Sequence, residues 1–252
     1  MQKTTRQKLL ELNQTFYSTV AESFNRTRMG FLPGLWRLLE FVPTNLSPEQ
    51  PLTVVDVGCG NGRFGHILES LERPCLYVGA DRDASLLEFA QENTADCTHL
   101  QPHFCQIELG QQGWSAPIKE IAPAFDIVCC LATLHHIPSY ELRLQVVSEL
   151  ASLVANEGVL MLATWQFLCS ERLRNKRVPW QEVGLTPEDV EPGDFLLPWQ
   201  AGPYALRYVH QIDEAEMTQM ASDLNLKITA SYRSDGREGN LSLYTVFNCE
   251  NV

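Results

Sequence analysis

The segment from Val54 to Gly65 combines the residue types that a ligand-binding turn requires. An apolar run, Val54–Val57, leads into glycines at positions 58, 60 and 62, and the residues that follow have helical spacing. Glycine allows the positive φ angles of such a turn and lets a ligand lie against the backbone. A tight strand-to-helix turn that binds nothing would use the same residues, so the glycines alone leave both interpretations open.

Two carboxylates favour a bound ligand at this turn. Asp81 ends the next β-rich run, 23 residues after Gly58, and a carboxylate about 20 residues beyond such glycines commonly binds ribose hydroxyls. Asp56 lies just before the glycines. The G-x-G-x-G spacing differs from the G-x-G-x-x-G of pyrophosphate binders, and two carboxylates would repel a pyrophosphate. They suit a nucleoside that carries a sulfonium cation, so the turn predicts S-adenosylmethionine as the cofactor.

Alternating β-rich and helical segments surround the turn. The β-rich runs are residues 52–57, 75–80, 125–131 and 158–164. The clearest amphipathic helix covers residues 140–155, and Asn156-Glu157-Gly158 is a helix stop signal. Strands that alternate with helices indicate parallel βαβ units, so the predicted fold class is α/β.

A different pattern follows near the C-terminus. A D-x-x-E capping box at Asp213 and Glu216 predicts a helix that reaches about Leu224. Two strand-like runs, residues 227–232 and 241–247, come next. The connection between them is too short for a parallel crossover, so the mostly parallel sheet is predicted to end in an antiparallel hairpin.

Two further regions flank the predicted sheet. Helical patterns over residues 5–29 and 35–42 predict an N-terminal helical cap, residues 1–45. Residues 165–200 are irregular and predict an insertion or lid within a single domain of residues 1–252. The insertion carries a dense basic cluster that suits either a solvated helix face or a phosphate clamp. The cluster consists of Arg172, Arg174, Lys176 and Arg177.

The composition excludes several classes of protein. Of the 252 residues, 44% are hydrophobic and 20% are charged, which excludes a disordered, collagen-like or coiled-coil chain. The net charge of −12 repels phosphates, so a nucleic acid would have to meet a local basic patch. The sequence shows no apolar stretch of membrane-helix length, no secretion signal and no ligand pattern among its 8 cysteines. We therefore expect a soluble, cytoplasmic protein with reduced thiols and no metal.

A known family shares the glycine-rich motif. VVDVGCGNGRFG and Asp81 resemble the cofactor motifs of class I S-adenosylmethionine-dependent methyltransferases. The resemblance implies a Rossmann-like fold with a seven-stranded, mostly parallel sheet. It also implies that Asp81 holds the cofactor's ribose and that Glu108 faces its adenine amine. The implied cofactor-binding residues are Asp56, Gly58, Cys59, Gly60, Asn61, Gly62, Asp81, Arg82, Glu108, Leu109, Leu131 and Ala132.

Five further segments resemble the tRNA methyltransferases that esterify 5-carboxymethyluridine at the wobble position. They are Phe16–Arg28, Leu134–Pro138, Gly193–Trp199, Arg207–His210 and Gly239-Asn240. The first two also occur in many small-molecule methyltransferases, and the last three are more specific. The stretch from Cys169 to Pro192 and the acidic net charge depart from that family.

The finer resemblance implies a carboxylate as the methyl acceptor. A carboxylate is nucleophilic at neutral pH and needs no general base, but cations must fix it in place. Arg28 and Arg207 are the candidates, and surface salt bridges are the alternative role for both. Tyr17 would either close over the cofactor's methionine end or pack within its helix. His136 would contact the acceptor, act as base for a neutral acceptor, or wall the cofactor.

The substrate-binding candidates are aromatic or imidazole side chains in the more specific segments. They are Trp199, Tyr208 and His210. Trp199 and Tyr208 would stack on a base, or they would pack beneath the insertion.

Other functions stay open at the level of sequence. A small-molecule O-, N- or carboxyl methyltransferase agrees with the acidic composition, and a catalytically silent cofactor-binding scaffold would keep the same glycines. A dinucleotide oxidoreductase agrees less well with their spacing. The expected partners are a tRNA bound through a local basic patch, or a small-molecule substrate. The resemblance adds a small zinc-binding activator protein.

Overall fold

A computed structural model describes residues 1–27, 30, 32–47 and 49–249. In these ranges the chain forms a central sheet, a separate hairpin and helices. The strands are β1 (Leu52–Val57), β2 (Cys75–Asp81), β3 (Leu100–Gln106), β4 (Phe125–Leu131), β5 (Val154–Trp165), β6 (Asp194–Trp199), β7 (Ala205–His210), β8 (Lys227–Ser234) and β9 (Ser242–Asn248). The α-helices are α1 (Lys3–Thr27), α2 (Pro33–Arg37), α3 (Arg63–Glu69), α4 (Ala84–Asn93), α5 (Ala116–Ile121), α6 (Tyr140–Ala151), α7 (Glu171–Arg174) and α8 (Glu214–Asp223).

Seven strands form the central sheet in the order β3-β2-β1-β4-β5-β9-β8. Strands β1 to β5 are parallel, and β9 is antiparallel to both of its neighbours. The predicted α/β class, with a seven-stranded, mostly parallel sheet and a C-terminal antiparallel hairpin, is confirmed. The strand order reverses between β1 and β4, and such a switch point leaves a crevice at the carboxyl ends of the strands.

The central sheet buries apolar side chains on both faces. Val55 and Val57 of β1 belong to the core cluster that includes α6 and α8, whereas Leu52 and Val54 pack with α3. Successive strand residues point to opposite faces, so a strand covered on both sides is a continuous apolar run in sequence. None of the described helices has the length and apolar character needed to cross a lipid bilayer.

The boundary between α6 and β5 differs from the prediction. Helix α6 ends at Ala151, and β5 runs through the predicted stop signal at 156–158. A bulge accommodates the extra residues, because the pairing with β4 shifts register between Phe125 and Ile127. Glu157 has a φ of 62° there, which explains why a glycine-containing, turn-like sequence lies inside a strand.

The hairpin β6–β7 stands apart from the central sheet. Its two strands pair antiparallel from Asp194 opposite His210 to Trp199 opposite Ala205. The predicted irregular insertion, residues 165–200, thus ends in a regular strand. Helix α1 packs on β7, where Asn13 donates to the carbonyl of Tyr208 (3.1 Å) and accepts its N–H (2.8 Å). These bonds fix α1 to the hairpin.

A buried ion cluster ties the hairpin to helices α6 and α8. The Arg143 side chain is 1% exposed and donates to Glu216 (2.8 Å) and Glu191 (3.1 Å). The two ring nitrogens of His210 lie 2.6 Å from Asp194 and 2.7 Å from Glu216. Burial alone would lower the pKa of His210, but the hydrogen bonds to the two carboxylates outweigh burial and raise it. Asp213 caps α8 as predicted, whereas Glu216 serves this cluster instead of closing a capping box.

The same cluster contains a donor set with metal-ligand spacing. Glu191, Asp194 and His210 each offer a ligand atom, and these atoms lie within 4.8 Å of one another. Arg143 already supplies a cation to Glu191. The cluster is therefore satisfied as an ion-pair network.

Candidate active site

A cavity of about 1150 Å³ lies at the carboxyl ends of β1, β2 and β4. The turn after β1, helix α1, helix α7 and the β6–β7 hairpin also line it. Pockets for one drug-sized ligand usually measure about 300–1000 Å³. The cavity therefore has room for a nucleoside cofactor and a second ligand.

The three glycines after β1 all have positive φ angles, but their surroundings differ. Gly58, Gly60 and Gly62 have φ angles of 77°, 56° and 74°. A Cβ on Gly58 would lie 2.1 Å from Thr133 Oγ1, and one on Gly62 would lie 3.0 Å from Ala90 Cβ in α4. A Cβ on Gly60 would meet only a Phe24 ring carbon at 3.9 Å. Gly58 and Gly60 line the cavity, whereas Gly62 lies outside its lining and allows α4 to pack, so we replace its predicted cofactor contact with a structural role.

Asp56 presents a buried carboxylate to the cavity. Its Oδ2 accepts the Tyr77 hydroxyl (3.0 Å), and its Oδ1 accepts no hydrogen bond from the described residues. Burial raises the pKa of Asp56 to about 7, against the opposing effects of the Tyr77 hydrogen bond and the Arg63 charge. A buried carboxylate oxygen without a partner is destabilising, so this site favours a cationic ligand.

Asp81 holds the glycine turn and faces the cavity. One oxygen accepts the Gly60 N–H (2.9 Å) and the other accepts the Asp83 N–H (3.0 Å). Burial raises the pKa of Asp81, although these backbone hydrogen bonds oppose the shift. Each carboxylate oxygen retains a second lone pair, so the geometry suits the predicted contact with ribose hydroxyls.

Cys59 and Asn61 line the cavity, but their contacts stabilise the turn. Burial raises the pKa of the Cys59 thiol well above its ordinary value, which disfavours the nucleophilic thiolate. The Asn61 side chain donates to Asn25 (2.7 Å), and its carbonyl accepts from Asn93 (2.9 Å).

The remaining predicted cofactor residues also line the cavity. Arg82 Nε is 2.6 Å from Glu108 Oε2, and Arg82 also donates to the Leu10 carbonyl of α1 (3.2 Å). Burial raises the pKa of Glu108, and the Arg82 charge opposes the shift. Leu109, Leu131 and Ala132 line the cavity, and Ala132 has a φ of 58° directly after β4.

Tyr17 and His136 form a hydrogen-bonded pair in the cavity lining. The Tyr17 hydroxyl lies 2.7 Å from His136 Nε2, and His136 Nδ1 lies 3.0 Å from the Tyr208 carbonyl oxygen. Because a carbonyl only accepts, Nδ1 carries the proton in the neutral ring and Nε2 accepts the Tyr17 hydroxyl. Both ring nitrogens are engaged, so His136 orients Tyr17 and does not serve as a general base in this geometry.

Arg207 of β7 lies between two aromatic rings at the cavity. Its guanidinium carbon is 4.5 Å from the ring centre of Trp165 and 5.1 Å from that of Phe16. Arg207 is only 6% exposed. Cation–π contacts hold a guanidinium by its faces, and its in-plane N–H groups match the geometry of a carboxylate. Arg28, the other predicted cation, lies outside the described residues.

Trp199 lines the cavity but is held by α1. Its indole N–H donates to Ser23 Oγ (3.0 Å), and Phe16 packs edge-on against it with ring centres 6.1 Å apart. Trp199 is 9% exposed. These contacts favour the packing role over the predicted stacking on a base.

Tyr208 and His210 do not reach the cavity. Tyr208 is fully buried and donates to Asp194 (2.7 Å), and His210 belongs to the ion cluster. Alternate residues of a strand face opposite sides, so a strand that presents Arg207 to the cavity turns Tyr208 and His210 away from it. We replace their predicted substrate contacts with structural roles; strand periodicity in the sequence could have separated them from Arg207.

Several cavity residues escape the sequence analysis. Arg63 begins α3, and Trp165 ends β5. Trp165 is the carboxyl end of a parallel strand and Arg63 lies in the turn region after one, and this position is the signal that could have found them. Of the predicted basic cluster, Arg172 and Lys176 line the cavity, and Arg174 and Arg177 do not.

Comparisons with known proteins support the fold and match a methyltransferase domain to part of the chain. A methyltransferase from Clostridium acetobutylicum, described as S-adenosylmethionine-dependent, superposes with a TM-score of 0.62 at 11% identity, covering 94% of this chain and 98% of that chain. One from Methanosarcina mazei gives 0.59 at 17% identity, covering 83% and 94%. A family model described as a methyltransferase domain matches residues 55–160. The fold is therefore that of these S-adenosylmethionine-dependent methyltransferases, and residues 55–160 match a methyltransferase domain.

Curated relatives match longer stretches of this chain than the family model does. The tRNA (carboxymethyluridine(34)-5-O)-methyltransferase alkbh8 of Xenopus tropicalis is 28% identical over 160 residues, covering 64% of this chain and 22% of the relative. The tRNA (carboxymethyluridine(34)-5-O)-methyltransferase of Schizosaccharomyces pombe is 25% identical over 184 residues, covering 73% of this chain and 65% of the relative. The chain thus spans from 22% to 65% of the length of these relatives.

The residues present fit the cofactor of this domain class. Gly60 leaves an open cradle, and Asp56 Oδ1 lacks a hydrogen-bond partner among the described residues. Asp81 offers lone pairs to ribose hydroxyls. A nucleoside that carries positive charge satisfies all three features.

Proposed function

We propose that the chain transfers a methyl group from S-adenosylmethionine to a carboxylate oxygen, and that the acceptor is a 5-carboxymethyluridine of tRNA. The observation that carries the proposal is Arg207, a buried guanidinium between Phe16 and Trp165 at the same cavity as Asp81. The cofactor supplies an electrophilic methyl group: the carboxylate oxygen forms the new O–C bond as the S–C bond breaks, which leaves a methyl ester and S-adenosylhomocysteine.

The cavity walls carry opposite charges. The wall formed by the ends of β1 to β3 carries more acids than bases, and the hairpin wall carries Arg207. The acids are Asp56, Asp81, Asp83 and Glu108, and the bases are Arg63 and Arg82. Complementary potentials favour a cation at the first wall and an anion at the second. This polarity supports a cationic cofactor beside an anionic acceptor.

The side chains suit an acceptor that is already ionised. His136 has both ring nitrogens engaged, by Tyr17 and by the Tyr208 carbonyl. A carboxylate is unprotonated at neutral pH, so it needs orientation and no proton removal. Arg207 supplies that orientation, and positioning alone accounts for a large part of such a rate enhancement.

The relatives support tRNA as the carrier of the carboxylate. Those from Xenopus tropicalis and Schizosaccharomyces pombe are both named tRNA (carboxymethyluridine(34)-5-O)-methyltransferases. The net charge of −12 favours a second candidate, a small-molecule carboxylate, which would use Arg207 in the same way. A small zinc-binding activator remains part of the proposal, and the edge strands β3 and β8 are where a partner strand would add.

The test is methyl transfer from labelled S-adenosylmethionine by the full chain. One reaction receives a stem-loop RNA that contains 5-carboxymethyluridine, a second receives the same RNA with the uncharged 5-carbamoylmethyluridine, and a third receives a metabolite extract. We expect alkali-labile label in the first RNA alone. Label confined to the metabolites would replace tRNA by a small acceptor, and alkali-stable label would contradict a methyl ester. No label in any reaction would contradict activity of the chain by itself.

Arg207→Met tests the role of the guanidinium in this reaction. Methionine keeps an apolar side chain between the two rings and removes the charge. Loss of a charge-assisted hydrogen bond of about 1.5–3 kcal/mol predicts a fall in kcat/KM of about 10- to 150-fold. The affinity for S-adenosylhomocysteine should stay within twofold, as should both quantities in the control Arg233→Met, which removes an arginine outside the cavity lining. Unchanged kcat/KM in Arg207→Met would rule out the proposed role.

A further inference from the structure

One wall of the cavity is cationic in a chain that is strongly acidic. We define the acceptor wall as the cavity-lining residues of segments 163–176, 198–207 and 241–242. The described residues of this wall include Arg172, Lys176 and Arg207. A neighbouring carboxylate in the cavity lining, Asp235, already accepts the Tyr244 hydroxyl (2.6 Å) and the Gly34 N–H (3.0 Å). The chain as a whole has 31 acidic against 19 basic residues. The acceptor wall therefore departs in sign from the rest of the molecule, which points to an anionic ligand with more than one charged group.

The basic cluster divides into two cavity-facing and two bracing side chains. Arg174 donates to the Leu168 carbonyl (2.5 Å), and Arg177 donates to the Arg174 carbonyl (2.8 Å). The Arg177 guanidinium also lies 5.1 Å from the ring centre of Phe195. These contacts brace α7 and the turn after it, so Arg172 and Lys176 extend from a segment that is fixed to the hairpin.

Neither cavity-facing cation is neutralised by an ion pair among the described residues. Arg172 is exposed and forms no ion pair with the described residues, and Lys176 donates only to the neutral amide oxygen of Gln200 (2.7 Å). Arg172 lies in α7 and Lys176 in the turn that follows it, and both line the cavity. An arginine fork and a flexible ammonium together suit the oxygens of a phosphate.

The cations of the acceptor wall lie at two different depths, which suits a ligand with two separate anionic groups. Arg207 is 6% exposed and lies deep in the wall, whereas Arg172 is exposed at its rim. The deep site fits a carboxylate that enters the cavity, and the rim fits a charge that stays outside. A nucleotide with a carboxylated base in an RNA strand has these two charges, and its base must leave the stack to enter.

We propose that Arg172 and Lys176 bind a backbone phosphate of single-stranded RNA next to the nucleotide whose carboxylate meets Arg207. The proposal rests on the proposed function and adds the binding site that distinguishes an RNA-borne acceptor from a free one. It explains how a chain of net charge −12 binds RNA: a local pair of cations contacts the phosphate while the acidic surface faces elsewhere.

The test compares the double variant Arg172→Gln/Lys176→Gln with the charge-matched control Lys119→Gln/Lys227→Gln, whose side chains are exposed and outside the cavity lining. Two probes are used: the stem-loop RNA that contains 5-carboxymethyluridine, and the free nucleoside, which has no phosphate. Fluorescence anisotropy with bound S-adenosylhomocysteine measures RNA affinity without turnover. Initial rates give KM for both probes.

We expect the double variant to bind the RNA about tenfold more weakly, with a salt-dependence slope smaller by about 1 to 2. Its KM for the nucleoside should change less than twofold, and the control should match the wild type. Unchanged RNA affinity, an equal loss for the nucleoside, or a wild type that does not bind the RNA would each overturn the proposal. A wild type that binds the RNA but methylates neither probe would contradict activity of the chain by itself, and the anisotropy comparison would still decide this inference.

Discussion

At the residue scale, Asp56 shows how binding and stability compete. Its Oδ1 is buried and accepts no hydrogen bond from the described residues, and burial raises its pKa to about 7. The ordinary pKa of an unfolded aspartate is about 3.9. The folded chain therefore favours the protonated acid, and the stability that Asp56 contributes is complete below about pH 4 and lost as the pH rises through 7. A cationic ligand reverses this preference.

Asp56→Asn removes the titration and keeps an oxygen that can accept the Tyr77 hydroxyl. A pKa difference of about three corresponds to about 4 kcal/mol. At pH 8 the unfolding free energy of the variant should therefore exceed that of the wild type by up to about 4 kcal/mol. The gain should shrink towards zero at pH 4. Urea unfolding at pH 4, 6 and 8 measures it.

The same variant should lose affinity for the cofactor. Titration calorimetry at pH 8 should show at least tenfold weaker binding of S-adenosylmethionine, because the cation loses its carboxylate partner. Wild-type affinity should itself fall as the pH drops below about 7. A variant that binds as tightly as the wild type at pH 8 would contradict the assignment of Asp56 to the cation.

The residues that the sequence locates well are those whose position depends on one strand end. Gly58, Gly60 and Asp81 follow β1 and β2, and parallel strands deliver their carboxyl ends to one edge. The positions of Arg172 and Lys176 depend on how α7 packs against the hairpin, and this packing involves contacts between residues distant in sequence. Sequence spacing groups them with Arg174 and Arg177, and only the packed structure separates the two pairs.

At the scale of elements, the sequence predicts best the strands that are buried on both faces. Strands β1, β2 and β4 are apolar runs with predicted and observed limits that agree within one residue. The sequence analysis does not predict strand β3, Leu100–Gln106, because it is an edge strand with exposed residues and a proline at its third position. The β6–β7 hairpin is likewise not predicted, because prolines and turn residues surround its strands in the sequence.

The hairpin depends on the ion cluster for its position beside the cavity. Arg143 from α6 contacts Glu191 before β6 and Glu216 of α8, and His210 ends the strand that carries Arg207. Removing one member of a buried ion network leaves its partners uncompensated. The position of Arg207 thus depends on residues that do not touch the cavity.

Arg143→Met should therefore cost up to about 3 kcal/mol of unfolding free energy, because Glu191 and Glu216, whose side chains are only 23% and 17% exposed, lose their cation. The exposed pair of Arg233 and Glu214 provides the comparison, since Arg233→Met should cost about 1 kcal/mol or less. Urea unfolding at pH 7 measures both. Equal costs would show that the cluster does not stabilise the fold more than a surface pair does.

At the scale of the whole molecule, net charge and local charge have opposite signs. The total of −12 repels RNA at long range, and the acceptor wall attracts it at short range. The Debye length is about 30 Å at 0.01 M salt and about 10 Å at 0.1 M. At low salt an approaching RNA therefore interacts with the charges of the whole protein. At higher salt it interacts mainly with the nearest charges.

The association rate constant for the stem-loop RNA should consequently rise between 0.01 and 0.1 M salt, opposite to the fall expected for a protein of net positive charge. Neutralising three exposed acids outside the cavity, in the variant Glu88→Gln/Glu92→Gln/Glu120→Gln, should raise this rate constant several-fold at 0.01 M. At 0.15 M the variant and the wild type should agree within twofold, since the distant charges are then screened. Stopped-flow anisotropy at both salt concentrations measures the effect. An equal increase at both would place these acids next to the RNA, and a wild-type rate constant that falls steadily from 0.01 M would mean that local attraction already governs the approach.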